Sequence, residues 1–212
     1  MNRRTIVLAT AAVAVAGFAL AGAIYRPEPP TGNGLIRPHA PVIGPADAPV
    51  TVVEFFDPAC ESCRAIYPFV KQLLAQYPNE VRLVLRYAPF HHGSAEAVRI
   101  IEAARLQGKL IPVLEALLEA QPQWADHGRP DIGKAWAAAS AAGLDLERAR
   151  KDAARPQLDE LLRQDVADLK ALDVKATPTF FVNGKSLATL GRRQLQSLVE
   201  EEVKVARKPP GQ

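Results

Sequence analysis

Only two cysteines occur in the chain, and they stand together as Cys60-Glu61-Ser62-Cys63. They fall where an apolar run, Thr51-Val52-Val53-Glu54-Phe55-Phe56, gives way to a helical pattern. A Cys-x-x-Cys pair at a strand-to-helix junction builds a dithiol that can close and reopen as a disulfide. The spacing puts Cys60 at the helix start, facing solvent, and Cys63 one turn in, able to close back onto it. Unpaired backbone N–H groups and the positive end of the helix dipole favour a thiolate at Cys60.

Two other uses of the pair are weaker. A closed zinc site needs four ligands, and the histidines lack metal-binding spacing: His91 and His92 are adjacent, while His39 and His127 stand alone. A purely structural bridge would close so short a loop that it removes little unfolded-state entropy. Reversible redox chemistry is the expectation, with no metal and no organic cofactor. The Cys60–Cys63 disulfide is itself the working group.

The N-terminus sets the compartment. Arg3 and Arg4 precede an uncharged, Ala- and Val-rich run from Thr5 to Tyr25, with small residues at Ala21 and Ala23. Residues 1–25 therefore read as a signal peptide or an N-terminal membrane anchor, placing the rest in the periplasm or on the outer face of the cytoplasmic membrane. There a dithiol can be held oxidised. The chain has 26 Lys and Arg against 23 Asp and Glu; setting aside Arg3 and Arg4 leaves a net charge of about +1. That is no footprint for nucleic acid.

Residues 26–41, with five prolines and two glycines, read as an extended linker, and the domain itself is expected over 42–206. Residues 50–56 predict a strand buried on both faces, 60–77 a helix interrupted by Pro68, and 81–88 a second strand. In that second strand Arg82, Val84 and Arg86 alternate against the apolar positions. The stretch from about 90 to 173 reads as helical, in segments 94–107, 111–120, 130–142, 146–153 and 156–172. Trp124 and Trp136 are expected to pack between these helices, and part of 110–118 to line a groove. Residues 179–182 predict a strand, Asn183-Gly184 a hairpin turn, 185–189 its partner, and 192–206 a closing amphipathic helix. Residues 207–212 read as a disordered tail. The strand–helix–strand opening implies parallel pairing, and the hairpin makes the sheet mixed.

This order resembles the thioredoxin-like α/β fold of the DsbA-type thiol–disulfide oxidoreductases over about 42–205. The likeness is carried by Glu54-Phe55-Phe56-Asp57-Pro58-Ala59-Cys60-Glu61-Ser62-Cys63 and by Thr177-Pro178-Thr179-Phe180-Phe181-Val182-Asn183-Gly184. The long helical insertion between the second strand and the Thr177-Pro178 strand carries it too. The resemblance implies that Cys60 is the nucleophile and Cys63 the buried resolving thiol of higher pKa. It implies that Glu54 is a buried acid able to take the Cys63 proton. It also implies a cis Pro178, with the Thr177 backbone pairing with an extended substrate segment.

Glu61 and Ser62 depart from the strongest oxidants of the family, which carry a histidine before the second cysteine. Ser62 brings no positive charge, and Glu61 should raise the Cys60 pKa, giving a less oxidising couple than DsbA. His91 and His92 read as exposed loop residues, though they follow a strand end where one could approach the site.

The partners implied are substrate proteins with thiols or disulfides and a membrane oxidase or reductase that resets the couple. The linker is too short for an added dimerisation domain, so a monomer is expected. The alternatives are a reductase or isomerase for clients such as cytochrome or copper-protein maturation factors, a Cu(I) metallochaperone using both thiolates, or an inert scaffold on this fold.

Overall fold

The computed structural model describes residues 34–126, 128–187 and 189–208. The leader reading of 1–25, the first part of the linker, His127 and the end of the tail lie outside the described residues. Among the described residues five strands form one mixed sheet in the order β1-β3-β2-β4-β5. They are β1 (Val42–Ile43), β2 (Val50–Phe56), β3 (Val81–Tyr87), β4 (Thr179–Val182) and β5 (Lys185–Ser186). β2 and β3 run parallel, joined by α1 (Glu61–Gln76); β1 lies antiparallel to β3, and β4 antiparallel to β2. Asn183 (φ 47°) and Gly184 (φ 83°) take the left-handed conformations that a tight hairpin requires.

Every residue of β2 is buried, because both faces of the sheet are covered. Successive side chains point to opposite faces. Val52 and Phe56 join Leu83, Leu85 and Phe180 in a core with α1 and with the closing helix α8 (Arg192–Ala206). Val53 and Phe55 join Val84 and Leu169 on the other face, with residues from 35 to 40. Glu54, on the even side, thus points at the α1 layer.

Among the described residues six helices separate β3 from β4: α2 (Ser94–Arg105), α3 (Leu110–Glu119), α4 (Gln121–Trp124), α5 (Ile132–Ala141), α6 (Leu146–Ala153) and α7 (Pro156–Ala171). They carry a core of their own around Ile100, Leu117 and Trp124. Trp124 is fully buried and donates its indole N–H to the Leu117 carbonyl at 2.8 Å. Trp136 is half-buried, with the Arg150 guanidinium 4.6 Å from its ring centre. Among the described residues no helix is long and apolar enough to cross a membrane.

Three boundaries move. β1 was not legible as a strand: it is two residues held against β3. Residues 34–41, read as linker, pack on the domain instead, with Leu35 and Ala40 buried. Arg207, placed in the tail, reaches back to the Glu80 carboxylate at 2.5 Å.

The reason for the second change is an ion network around Arg86. This arginine is fully buried, although β3 alternation suggested a less apolar position. Its guanidinium donates to Asp165 Oδ1 at 2.8 Å, to Asp168 Oδ2 at 2.5 Å, and to the carbonyls of Gly34 and Leu35. Asp168 also receives Arg37, and Asp165 faces His39 at 2.8 Å. The network thus ties the 34–39 segment to α7 through β3. Removing one side of a buried ion pair strands the other charge, typically at a cost of about 3–5 kcal/mol. Arg86→Leu is therefore expected to lose stability on that scale, read as a lower urea midpoint. A midpoint unchanged from the parent would contradict this account.

Candidate active site

Parallel pairing brings the C-terminal ends of β2 and β3 side by side, with Phe56 opposite Tyr87. The loops that follow, 57–60 and 88–93, therefore meet. Asp57 organises both. Its carboxylate accepts from the backbone N–H of Ala59 (2.8 Å), Phe90 (2.8 Å) and His91 (3.1 Å), from the Ser94 hydroxyl, and from His91 Nδ1 (2.7 Å). Its own backbone carbonyl takes the Cys60 N–H at 3.1 Å, and its N–H points at Cys63 Sγ at 3.5 Å.

Cys60 is the N-cap residue of α1, in extended conformation, and Cys63 lies inside the first turn. Both are free thiols. Cys60 does not face solvent as the spacing suggested: it is 6% exposed, covered in part by the Thr177 loop. The Thr177 carbonyl oxygen lies 3.3 Å from Cys60 Sγ, and the Thr177–Pro178 bond is cis. Gln121, from α4, donates to the carbonyls of Pro58 and Cys60 at 2.8 and 3.0 Å, so the helical insertion holds the nucleophile's backbone.

The two thiols differ sharply in proton affinity. The Cys60 pKa falls from 9.0 to about 5. The hydrogen bond from the Cys63 thiol contributes most; burial opposes it, and the Thr177 side chain with the N–H groups of Cys63 and Ser62 assists. The expected upward push from Glu61 does not prevail. The Glu61 side chain is exposed, whereas the donors converge on the sulfur. Cys63 moves the other way, held well above an ordinary thiol by burial, by the Cys60 hydrogen bond and by the charge of Glu54.

Glu54 is fully buried in a strand paired on both sides, and among the described residues neither carboxylate oxygen has a hydrogen-bond partner. Burial, assisted by the Cys60 charge, raises its pKa from 4.5 to about 8. It can therefore hold or release a proton near neutrality beside a thiol that seldom ionises.

Sequence reasoning missed Asp57, His91 and Gln121 as members of this site. For His91 a signal was present: residues just after two parallel strands meet at one sheet end. Gly93 (φ 80°) turns the chain from His91 into α2, where a Cβ would stand 2.8 Å from Pro130. A groove of about 420 Å³ lies between α1 and α3, lined by Tyr67, Pro68 and Leu118 among others, so Leu118 of the 110–118 stretch does face it. Among the described residues no group of three or more His, Cys, Asp or Glu converges as metal donors.

Comparison with known proteins agrees with this geometry. The thioredoxin family model matches residues 37–201. A thioredoxin-like oxidoreductase from Silicibacter pomeroyi DSS-3 is 33% identical, with a TM-score of 0.70, covering 85% of this chain and 99% of its own. BdbD from Bacillus subtilis is 25% identical, with a TM-score of 0.68, covering 78% of this chain and 94% of its own. The chain belongs to the thioredoxin family, and its fold is shared with the DsbA-type thiol–disulfide oxidoreductases, such as alpha-DsbA1 from Wolbachia pipientis (15% identical, TM-score 0.73, covering 83% of this chain and 98% of its own). A curated relative from Mycolicibacterium gilvum (strain PYR-GCK), named a Na(+)/H(+) antiporter NhaA 1, is 34% identical over 192 residues; they take in 82% of this chain. The chain spans about 30% of the length of that relative.

Proposed function

We propose that the protein exchanges disulfides with substrate proteins through Cys60 and Cys63, in an exported compartment entered by means of residues 1–25. The observation that carries this is the opposed proton affinity of the two thiols within one helical turn. One is a thiolate at neutral pH; the other keeps its proton over an acid that can take it.

When the couple acts as oxidant, a substrate thiolate attacks Cys60 Sγ of the disulfide. A substrate–Cys60 bond forms, the Cys60–Cys63 bond breaks, and the Cys63 thiolate takes a proton that Glu54 can supply. A second substrate thiolate then displaces Cys60, and the pair has gained the two electrons the substrate lost. In the reducing direction the same steps run backwards, with Glu54 receiving the Cys63 proton. Thr177, at the face of Cys60, is the place for an extended substrate strand. A membrane oxidase or reductase would reset the couple, and the domain would act as a monomer.

Sodium–proton exchange, stated in the antiporter relatives' names, is not part of this reading, since the matched stretch takes in most of the thioredoxin-fold domain. Holding Cu(I) between both sulfurs requires Cys63 to lose its proton too, which its environment opposes.

A Cys60 pKa of about 5 falls between the thioredoxin and DsbA cysteines, near 7 and 3.5. The reduction potential is expected between roughly −270 and −120 mV, the thioredoxin and DsbA values. Equilibration of the full chain with glutathione buffers measures it. A value close to the lower limit would recast the protein as a client-specific reductase. The absence of any reversible equilibrium would sink the exchange reading.

A further inference from the structure

The two residues between the cysteines bring one negative charge and no positive one, yet the site favours a thiolate at Cys60. We infer that His91, clamped by Asp57, places a proton-accepting ring at this site and, when protonated, tunes Cys60 from a loop outside the motif. This rests on the reading that Cys60 is the exchanging thiol.

The geometry makes Asp57 the joint between His91 and both sulfurs. Its backbone is hydrogen-bonded to the Cys60 N–H and directed at Cys63 Sγ. Its fully buried carboxylate takes both the backbone N–H and the ring Nδ1 of His91, so that residue is gripped at two points. With Nδ1 committed as a donor, a second proton goes to Nε2, and a ring 28% exposed can exchange it with solvent. The charges facing the imidazole are Asp57, Cys60 and Glu61, all negative. Burial alone lowers the proton affinity of His91, but the Asp57 hydrogen bond and these three charges raise it overall. Such coupling is reciprocal: the Cys60 charge that stabilises the imidazolium is itself stabilised by it to the same extent. Glu61, which on its own would work against the thiolate, sits opposite the same cation.

His91 is thus a positioning residue acting on charge, and a structural role alone would not move the redox readouts. His91→Asn in the full chain can retain a hydrogen bond to Asp57 while removing the charge. Ultraviolet titration of the thiolate is expected to move Cys60 upward by about one pH unit. The equilibrium with glutathione should shift about tenfold towards the disulfide, about 30 mV for a two-electron couple. Thermal unfolding of the oxidised form should stay near the parent's, and the neighbouring His92→Asn should leave both redox readouts in place. An unchanged Cys60 titration in a folded His91→Asn variant overturns the inference.

Should that variant fail to fold, the parent protein answers the question by NMR. The His91 ring should titrate at higher pH in the reduced than in the oxidised form, and identical titrations overturn the inference. If the parent never equilibrates with glutathione, the exchange reading fails. The thiolate titration then still decides whether His91 faces Cys60.

Discussion

A Cys63→Ala variant is expected to stop after the first step and accumulate protein covalently joined to its substrate through Cys60. The resolving attack needs a second sulfur one helical turn away, and that variant has none. Turnover in a disulfide-reduction assay should fall by about three orders of magnitude or more, the scale seen when a covalent catalytic group is removed. Mass spectrometry of the non-reduced mixture should find the adduct on Cys60. The change has a second effect. The Cys63 thiol is the largest contributor to the low Cys60 pKa, so its loss should move Cys60 back towards an ordinary thiol. Trapping should therefore be faster at pH 9 than at pH 6, whereas the parent's first step varies little over that range. An adduct on Cys63 in a Cys60→Ala variant would reverse the assignment of the two roles.

Glu54→Leu should give a more stable and less active protein. A carboxyl whose pKa rises from 4.5 unfolded to about 8 folded keeps in the native state a proton that the unfolded chain releases. Between these limits stability falls as pH rises, at up to about 1.4 kcal/mol per pH unit. The whole window amounts to about 4–5 kcal/mol, as an upper bound for a fully buried group. Oxidised protein carries the burial part of this dependence alone, because Cys60 there has neither a proton to titrate nor the charge that adds to the Glu54 shift. In reduced protein Cys60 contributes with the opposite sign. Its folded pKa is depressed, so its stabilisation is full above pH 9 and lost as pH falls towards 5. Urea unfolding of the oxidised parent should thus show a decline as pH rises above 5 that Glu54→Leu abolishes. The variant should gain most at the alkaline end. Its rate of resolving mixed disulfides should drop by about a hundredfold, the contribution of a placed acid–base group. Equal pH slopes for parent and variant would remove Glu54 from the proton path.

Elements with a strong local signal were readable from the chain. β2, β4, α6 and α8 fall where the apolar run, the Asn183-Gly184 turn and the amphipathic spacing place them. Cys60, Cys63, Glu54 and the Thr177-Pro178 loop could be named because they lie in two short segments with recognisable order. What stayed hidden depends on residues far apart in sequence. Arg86 looks like a solvent-facing strand residue until Asp165 and Asp168 arrive from α7 to meet it. Residues 34–41 look like linker because prolines and a glycine signal extension, and nothing local says that two of their carbonyls accept from a buried guanidinium. His91 looks like a loop residue until Asp57 turns to hold it. Gln121 is an ordinary helix residue in composition, and its amide becomes informative only once it reaches the carbonyl of Cys60. The low Cys60 pKa was hidden for a related reason: the adjacent Glu61 charge was visible, while the donors converging on the sulfur were not.

The grip of Gln121 on Pro58 and Cys60, together with Thr177 at the sulfur, makes the redox centre discontinuous in the chain. During synthesis from the N-terminus both cysteines and their nearest donors appear early, whereas Gln121 and Thr177, which hold and cover Cys60, appear much later. The wall that Thr177 sets against the sulfur, and with it the place where a substrate strand would lie, comes into being only when the last third of the chain has folded back onto the first.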